Sequence, residues 1–481
     1  MKKRRKMKKK VLKTIIPLLI VLVLVFAAFF TYKFIFKEKE KQFLETIETG
    51  VYADITKYAI YGIHMNLEGS ITLPTTPKDI KLVLSNGQTE IEIPWIVEEQ
   101  ETTYTFKTSE YINEGIVLED LPNETLYLLI KTTETNEENE DITKYYSVEN
   151  ETEYENLEYY TLTKNDKNNK IDIEWNTYEE CPTLRFKIEE TTLPEDVYDI
   201  TLDPGHDASD PGKSICLNGN TIYDPSSSGY CYNGGTLYTE ADFNLYVSLA
   251  LKEQLEQRGF KVIMTRDSED DYVNIYEPMG SATMANDTKS KLNLAIHHNS
   301  SGYDGGISYL KGLEVYIAND TNTDLAEILV KNITNTANTT ASHKELYKIG
   351  NGIYQRFFTE EEIASSDVQP SRYTTNTSWY YNMREIGGIS TNASNDGRFE
   401  DYPMNEHYNS NNTAEAYLLE LGYMDNLTDI TNMINNQDKY AEAMADAIQE
   451  YLNQEWIMSY GRLRPQPNQL KTTKKANHHL K

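Results

Sequence analysis

At 481 residues, 39% of them hydrophobic, the chain is long enough for two or three domains, each with its own core. The formal net charge is −29, yet residues 1–37 carry eleven Lys/Arg and no acid, and residues 457–481 carry six and no acid. The acid excess therefore lies in the body between two basic ends. Such a body repels nucleic acid, whose binding depends on neutralising phosphates, and excludes it as a partner; the charge reads as solubility and self-repulsion.

The chain opens MKKRRKMKKK, and Thr14 to Tyr32 then runs without a charge. An apolar helix of about 20 residues spans a bilayer, and the basic cluster before it is expected to stay cytoplasmic. This predicts a basic cytoplasmic segment over 1–12 and a transmembrane signal anchor over 13–36. The protein would then sit in the cell membrane as a single-pass chain, with all that follows outside the cell. A cleaved signal peptide would have a shorter apolar region and a small-residue cleavage site; AAFFTYKFIF offers none that convinces. A charged stalk is expected over 37–51.

From 52 to 192 short alternating segments recur: DIKLVLS (79–85), TEIEIPWIV (89–97), TTYTFKT (102–108), TLYLLIKT (125–132) and KIDIEW (170–175). Period-two alternation rich in β-branched and aromatic residues predicts half-buried strands. Turn residues separate them, as at Ser85-Asn86-Gly87 and Asn113-Glu114-Gly115. The expectation is an all-β, immunoglobulin-like sandwich serving as spacer or binding domain, its partner unknown, since no catalytic constellation falls in it.

Over 193–456 strands alternate with helices. VYDITLD (197–203), KVIMTR (261–266), LNLAIHH (292–298), LEVYIA (313–318) and YLLELGYM (417–424) read as strands. Ala241–Arg258, Glu277–Lys289, Thr323–Ala337 and Asp438–Asn453 read as helices. That order predicts an α/β domain with a mainly parallel sheet covered by helices. The polar stretch 338–412 has little periodicity and reads as a long loop; the basic tail 457–481 reads as disordered.

The chemistry-bearing residues gather at expected strand ends. LDPGHDASDPG (202–212) leads a buried strand through Asp203-Pro204-Gly205 to His206, where α/β sheets hold their ligands. Glu240 stands at a helix N-terminus. His297 and His298 end another strand and, being consecutive, point to opposite faces. Glu420 is a single carboxylate in an apolar strand, and carboxylates are rarely buried unless paired. Each has a bland alternative: a turn cap, a first-turn acid favoured by the helix dipole, a structural salt bridge. Together, two imidazoles and a carboxylate match a catalytic zinc site that leaves a fourth position for water, and a further carboxylate can shuttle the proton. No zinc-finger spacing of cysteines appears, so a thiolate site is not expected. Cys216 and Cys231, 15 apart in a Gly/Ser/Asn-rich loop, are expected to form a disulfide; Cys181 is left over.

The segment from Val197 to Leu452 resembles the zinc-dependent N-acetylmuramoyl-L-alanine amidases of the amidase 3 family. The resemblance is carried by LDPGHDASDPG, Glu240 ahead of FNLYVSLALKEQLEQRGFKVIMTRDSE, MANDTKSKLNLAIHHNSS, KGLEVYIA and LLELGYMDN, in that order. It implies that the α/β sheet is twisted, with His206, Glu240 and His297 as ligands of one zinc ion and Glu420 as the catalytic carboxylate. The implied reaction is hydrolysis of the amide between the lactyl group of MurNAc and L-Ala in peptidoglycan, with zinc-activated water and Glu420 as general base. The chain departs from the family at His298, where a small residue is frequent, in lacking an Arg near Tyr276, and in the length of 338–412. The rival readings are another zinc hydrolase, such as a carboxypeptidase acting on stem peptides, and a non-enzymatic wall-binding protein with a vestigial site.

Overall fold

The computed structural model describes residues 35–150, 154–163, 168–175, 181–275, 279–302, 309–365, 374–387 and 412–458. The expected cytoplasmic segment, nearly all of the expected anchor and nearly all of the expected tail lie outside the described residues. Among the described residues, no helix is long and apolar enough to cross a membrane.

Alternation produces strands where it was read. Asp79–Ser85 forms as expected, as do Thr103–Lys107 and Thr125–Thr135, while the expected 89–97 strand is broken into Glu90–Ile93 and Ile96–Gln100. The break falls at Pro94, which cannot donate to a ladder. Two long strands escaped the sequence reading: Glu48–Tyr61 and His64–Thr72 pair as an antiparallel hairpin about Gly62. Their inward residues, with Leu82, Leu84, Leu126, Leu128, Ile130 and Phe186, fill one core. The described strands of this part, together with Asn412–Thr413, join in a single hydrogen-bonded network, mostly antiparallel, in which Glu48–Tyr61 also pairs in parallel with Asp141–Asn150.

The expected stalk needs correction. Residues 35–44 are helical and the first strand already begins at Glu48. Leu44 and Ile47 are buried against Val83, Tyr127, Leu129 and Cys181, so apolar burial draws this segment onto the β part.

The α/β part contains strands β1 (Ile200–Pro204), β2 (Val262–Met264), β3 (Leu292–Asn299), β4 (Glu314–Tyr316), β5 (Lys348–Gly350), β6 (Ile353–Tyr354) and β7 (Glu415–Tyr423), in the order β2-β1-β3-β7-β4-β6-β5. The neighbours β2, β1, β3 and β7 are parallel, and β4 runs antiparallel to β7. Helices α1 (Glu240–Gln257), α2 (Asp324–Thr336) and α3 (Leu427–Met458) supply Leu251, Leu255, Leu329, Ile333, Met444 and Ile448 to a core with Leu202, Leu294, Ile296, Leu419 and Leu421. The alternate residues Ala295, Ala416 and Leu418 face the other way, onto Met383 and Ile386. The mainly parallel α/β sheet is thus present, with its three long helices on one face.

Two expectations fail here. The helix read over Glu277–Lys289 is a single turn, Met284–Asp287. Ser281 Oγ instead donates to Asp203 at 2.9 Å, and Lys289 takes a left-handed φ of 53° that ends the turn. The stretch 338–412 is not one loop: β6 extends the sheet beside β4, and the π-helical turn Asn382–Gly387 covers its second face. Strands of two or three residues are too short to show periodicity.

The two parts share an interface. Thr413, just before β7, pairs with Tyr61, and Gly62 N donates to Thr413 O at 2.8 Å. A Cβ at Gly62 would stand 2.4 Å from the Glu415 carboxylate, so the turn there requires glycine.

Candidate metal and catalytic site

The parallel strands β1, β3 and β7 end along one edge of the sheet, and the site gathers there from the loop after β1, the start of α1, and β3 and β7 themselves. Just past β1, His206 has a left-handed φ of 62°. Such a conformation in a non-glycine residue is held only where its surroundings determine it. Asn244 Nδ2 and Arg266 donate to the Gly205 carbonyl, and Arg266 also donates to Pro204 O and, at 2.7 Å, to Ala241 O. The buried Arg266 thereby ties the end of β1 to the start of α1. A Cβ at Gly205 would lie 2.1 Å from the His297 ring, so only glycine lets the two histidines approach.

Glu240 is the first residue of α1, whose N-cap Thr239 accepts from Asp242 N at 3.2 Å. Its backbone N donates to Lys213 O and its Oε2 accepts from Lys213 N. Its Oε1 lies 3.2 Å from His206 Nε2, 3.2 Å from His297 Nδ1 and 3.3 Å from His298 N. Burial works against charge on Glu240, but hydrogen bonds from His206 and His297 outweigh it and hold the carboxyl well below the usual range. For His206, burial opposes protonation and is outweighed by Glu240 and Asp210, which raise its pKa. One ligand atom from each of His206, Glu240 and His297 lies within 4.8 Å of the others. This group could hold a metal ion, and its donor set is that of a catalytic zinc centre.

His298 points the other way. It is buried, its Nδ1 is 2.7 Å from Asn244 Oδ1, its ring lies against Phe243, and burial depresses its pKa to about 3. A neutral His298 thus fixes Asn244, which in turn holds the Gly205 carbonyl.

Glu420 on β7 is the register partner of His297 on β3 and of Glu314 on β4. It is buried, and its Oε2 meets no hydrogen-bond partner among the described residues. Burial, then the negative charges of Glu240 and Glu314, push its carboxyl well above the usual range, with Lys344 opposing. Glu314 is its opposite. Ser342, Tyr423, Tyr316, Asn299 and Lys344 all donate to that carboxylate.

The structure therefore brings His206, Glu240, His297 and Glu420 to one sheet edge and turns His298 away. The sequence reading took Asp203 only as part of the turn before His206 and did not single out Asn244, Arg266 or Glu314. Asp203 is buried and accepts from Thr265, Ser281 and Tyr381. For Asp203 and Glu314 the available signal was a carboxylate inside a buried apolar strand.

Residues 200–362 match the family model described as N-acetylmuramoyl-L-alanine amidase. The matched segment includes His206, Glu240 and His297 and ends before Glu420. None of the curated proteins matches the sequence. Among solved structures, Cwp6 from Clostridium difficile is 21% identical with a TM-score of 0.34; the match covers 53% of this chain and 29% of that one. The N-acetylmuramoyl-L-alanine amidase from Clostridium difficile 630 is 18% identical over 54% of this chain and 98% of that chain, TM-score 0.33. The N-acetylmuramoyl-L-alanine amidase AmiC2 of Nostoc punctiforme is 22% identical over 54% and 98%, TM-score 0.32. Likenesses at this level carry no argument about mechanism.

Proposed function

We propose, from the premise that residues 200–362 belong to the N-acetylmuramoyl-L-alanine amidase family, that this peptidoglycan amidase works with one zinc ion held by His206, Glu240 and His297. The observation that carries the reading is the trio of ligand atoms within 4.8 Å at the carboxyl ends of parallel strands. When bound, zinc supplies a Lewis acid that polarises the scissile carbonyl and lowers the pKa of water.

Glu420 accepts a proton from the attacking water and passes it to the amide nitrogen as the C–N bond breaks. The water oxygen ends in the lactyl carboxylate and the proton on the amine of L-Ala. The buried place of Glu420, opposite His297 on the neighbouring strand, suits a group that must first take and then give a proton. Glu314, held by five donors, is fixed in place beside it. The same reading places the enzyme outside the cell on an N-terminal anchor at 13–36, where its substrate lies, with an immunoglobulin-like spacer or wall-binding unit over 52–192.

Mass spectrometry of sacculi digested with the purified full-length chain tests the reaction. The expected products are glycan with free lactyl carboxylates and stem peptides beginning with L-Ala. Activity should vanish in chelator and return with zinc. Release of a terminal amino acid with the lactyl amide intact would make the enzyme a carboxypeptidase instead.

A further inference from the structure

Between His206 and Glu240 the chain leaves the sheet edge as a small antiparallel structure, Thr221–Tyr223, Ser214–Asn218 and Thr236–Thr239, closed by the Cys216–Cys231 disulfide. Its base is fixed to the site, since Lys213 is bonded to Glu240 in both directions and Thr239 caps α1. Ile215, Ile222 and Tyr238 pack on Phe243, Met424 and Met433. The far end presents aromatic rings to solvent. Tyr230 is 61% and Tyr232 50% exposed on either side of the bonded Cys231, and the Tyr232 ring lies 4.8 Å from Tyr223. The turn beneath Tyr230 is held by Ser226, which both donates to and accepts from it along the backbone and through Oγ.

The chemistry of this surface is unlike that of the rest of the chain. In a protein with net charge −29, residues 214–239 contain one charged side chain, Asp224, and Lys213 neutralises it at 3.0 Å. The rest of the segment is uncharged, chiefly tyrosine, serine, threonine, asparagine and glycine, with Leu237 as an exposed aliphatic side chain. Exposed rings on a covalently fixed loop are costly to leave in water and cheap to order on binding. A charged peptide finds no counter-charge there. A neutral polyol does: the C–H face of a pyranose lies on an aromatic ring, and its hydroxyls meet hydroxyls and amides.

We infer that the stapled hairpin is a platform for the glycan strand, stacking saccharides next to the MurNAc whose amide is cut; this rests on the peptidoglycan reading above. The platform is continuous with the site through Lys213 and Thr239, so a strand lying across it presents its lactyl amide at the sheet edge.

The test uses two probes. Calorimetry with soluble GlcNAc oligosaccharides, the neutral counterpart of the glycan strand, measures the platform, and hydrolysis of a small muramoyl peptide measures the site. For the full-length chain, Y230A/Y232A should bind the oligosaccharide about tenfold more weakly, Y230F/Y232F should bind as wild type, and all three should cleave the small substrate at the same rate. Wild-type binding by the Ala variant, or binding by the Phe variant as weak as the Ala variant's, would overturn the platform. So would an equal loss of small-substrate cleavage in the Ala variant. Failure of the wild-type chain to cleave the muramoyl peptide, with oligosaccharide binding intact, would sink the amidase reading and leave the platform standing.

Discussion

The two ends of β7 bury a glutamate each and treat it in opposite ways. At the amino end, where the β part meets the α/β part, Glu415 lies 3.3 Å from His64 Nδ1 and accepts from Tyr417 and Tyr451 hydroxyls at 3.3 and 3.0 Å. At the carboxyl end Glu420 keeps a buried oxygen with no partner among the described residues. Five residues apart, the two side chains fall on opposite faces of the strand: Glu415 toward the helices, Glu420 toward His297. A buried carboxylate surrounded by donors joins elements together. One left unsatisfied beside a ligand cluster costs stability and is poised to exchange a proton.

Stability measured after substitution at each end of β7 tests this difference. The largest effect should come from Glu415→Leu, which removes the carboxylate that His64, Tyr417 and Tyr451 share. Chemical denaturation should show a loss of about 3 kcal/mol, while the folded fraction still turns over substrate. Wild-type stability would mean the cluster does not join the two parts. Tyr451→Phe removes one donor and leaves the packing, and should cost about 1 kcal/mol. A cost as large as that of Glu415→Leu would mean the contacts fail as a unit rather than separately. The smallest effect is expected at the other end: Glu420→Gln should shift stability by less than about 1 kcal/mol, because its Oε2 has no hydrogen-bond partner to lose among the described residues. A loss of several kcal/mol there would reveal a structural carboxylate and erase the contrast.

Much of the α/β part is legible in the sequence because its strands are continuous apolar runs and its helices are long. The read 241–258 helix forms as Glu240–Gln257, and the read 292–298 strand as Leu292–Asn299. The candidate site is legible for the same reason: a His or Glu in such a run is conspicuous. What escaped is set by contacts distant in sequence. Arg266 matters because it reaches Pro204, Gly205 and Ala241, and no local pattern announces that. Glu314 sits three residues from Lys311 in an apparently ordinary strand, yet five donors from four segments converge on it. The hairpin Glu48–Tyr61/His64–Thr72 was hidden by its polar outer positions, and β5 and β6 by their brevity. Asn436, with φ −136°, kinks α3, which is why only the half after Asp438 was read as helix. The Cys216–Cys231 pairing was expected from spacing and surroundings, and the two Cα atoms lie 5.6 Å apart.

The proposed function gives two carboxylates different tasks, Glu240 holding the metal and Glu420 moving the proton. Bound zinc and turnover measured on the same preparations of Glu240→Gln and Glu420→Gln test it most directly. Glu420→Gln should keep its zinc and cleave peptidoglycan at least ~100-fold more slowly, whereas Glu240→Gln should lose zinc. Zinc lost from Glu420→Gln and kept by Glu240→Gln would exchange the two roles, and wild-type turnover by Glu420→Gln would contradict the mechanism.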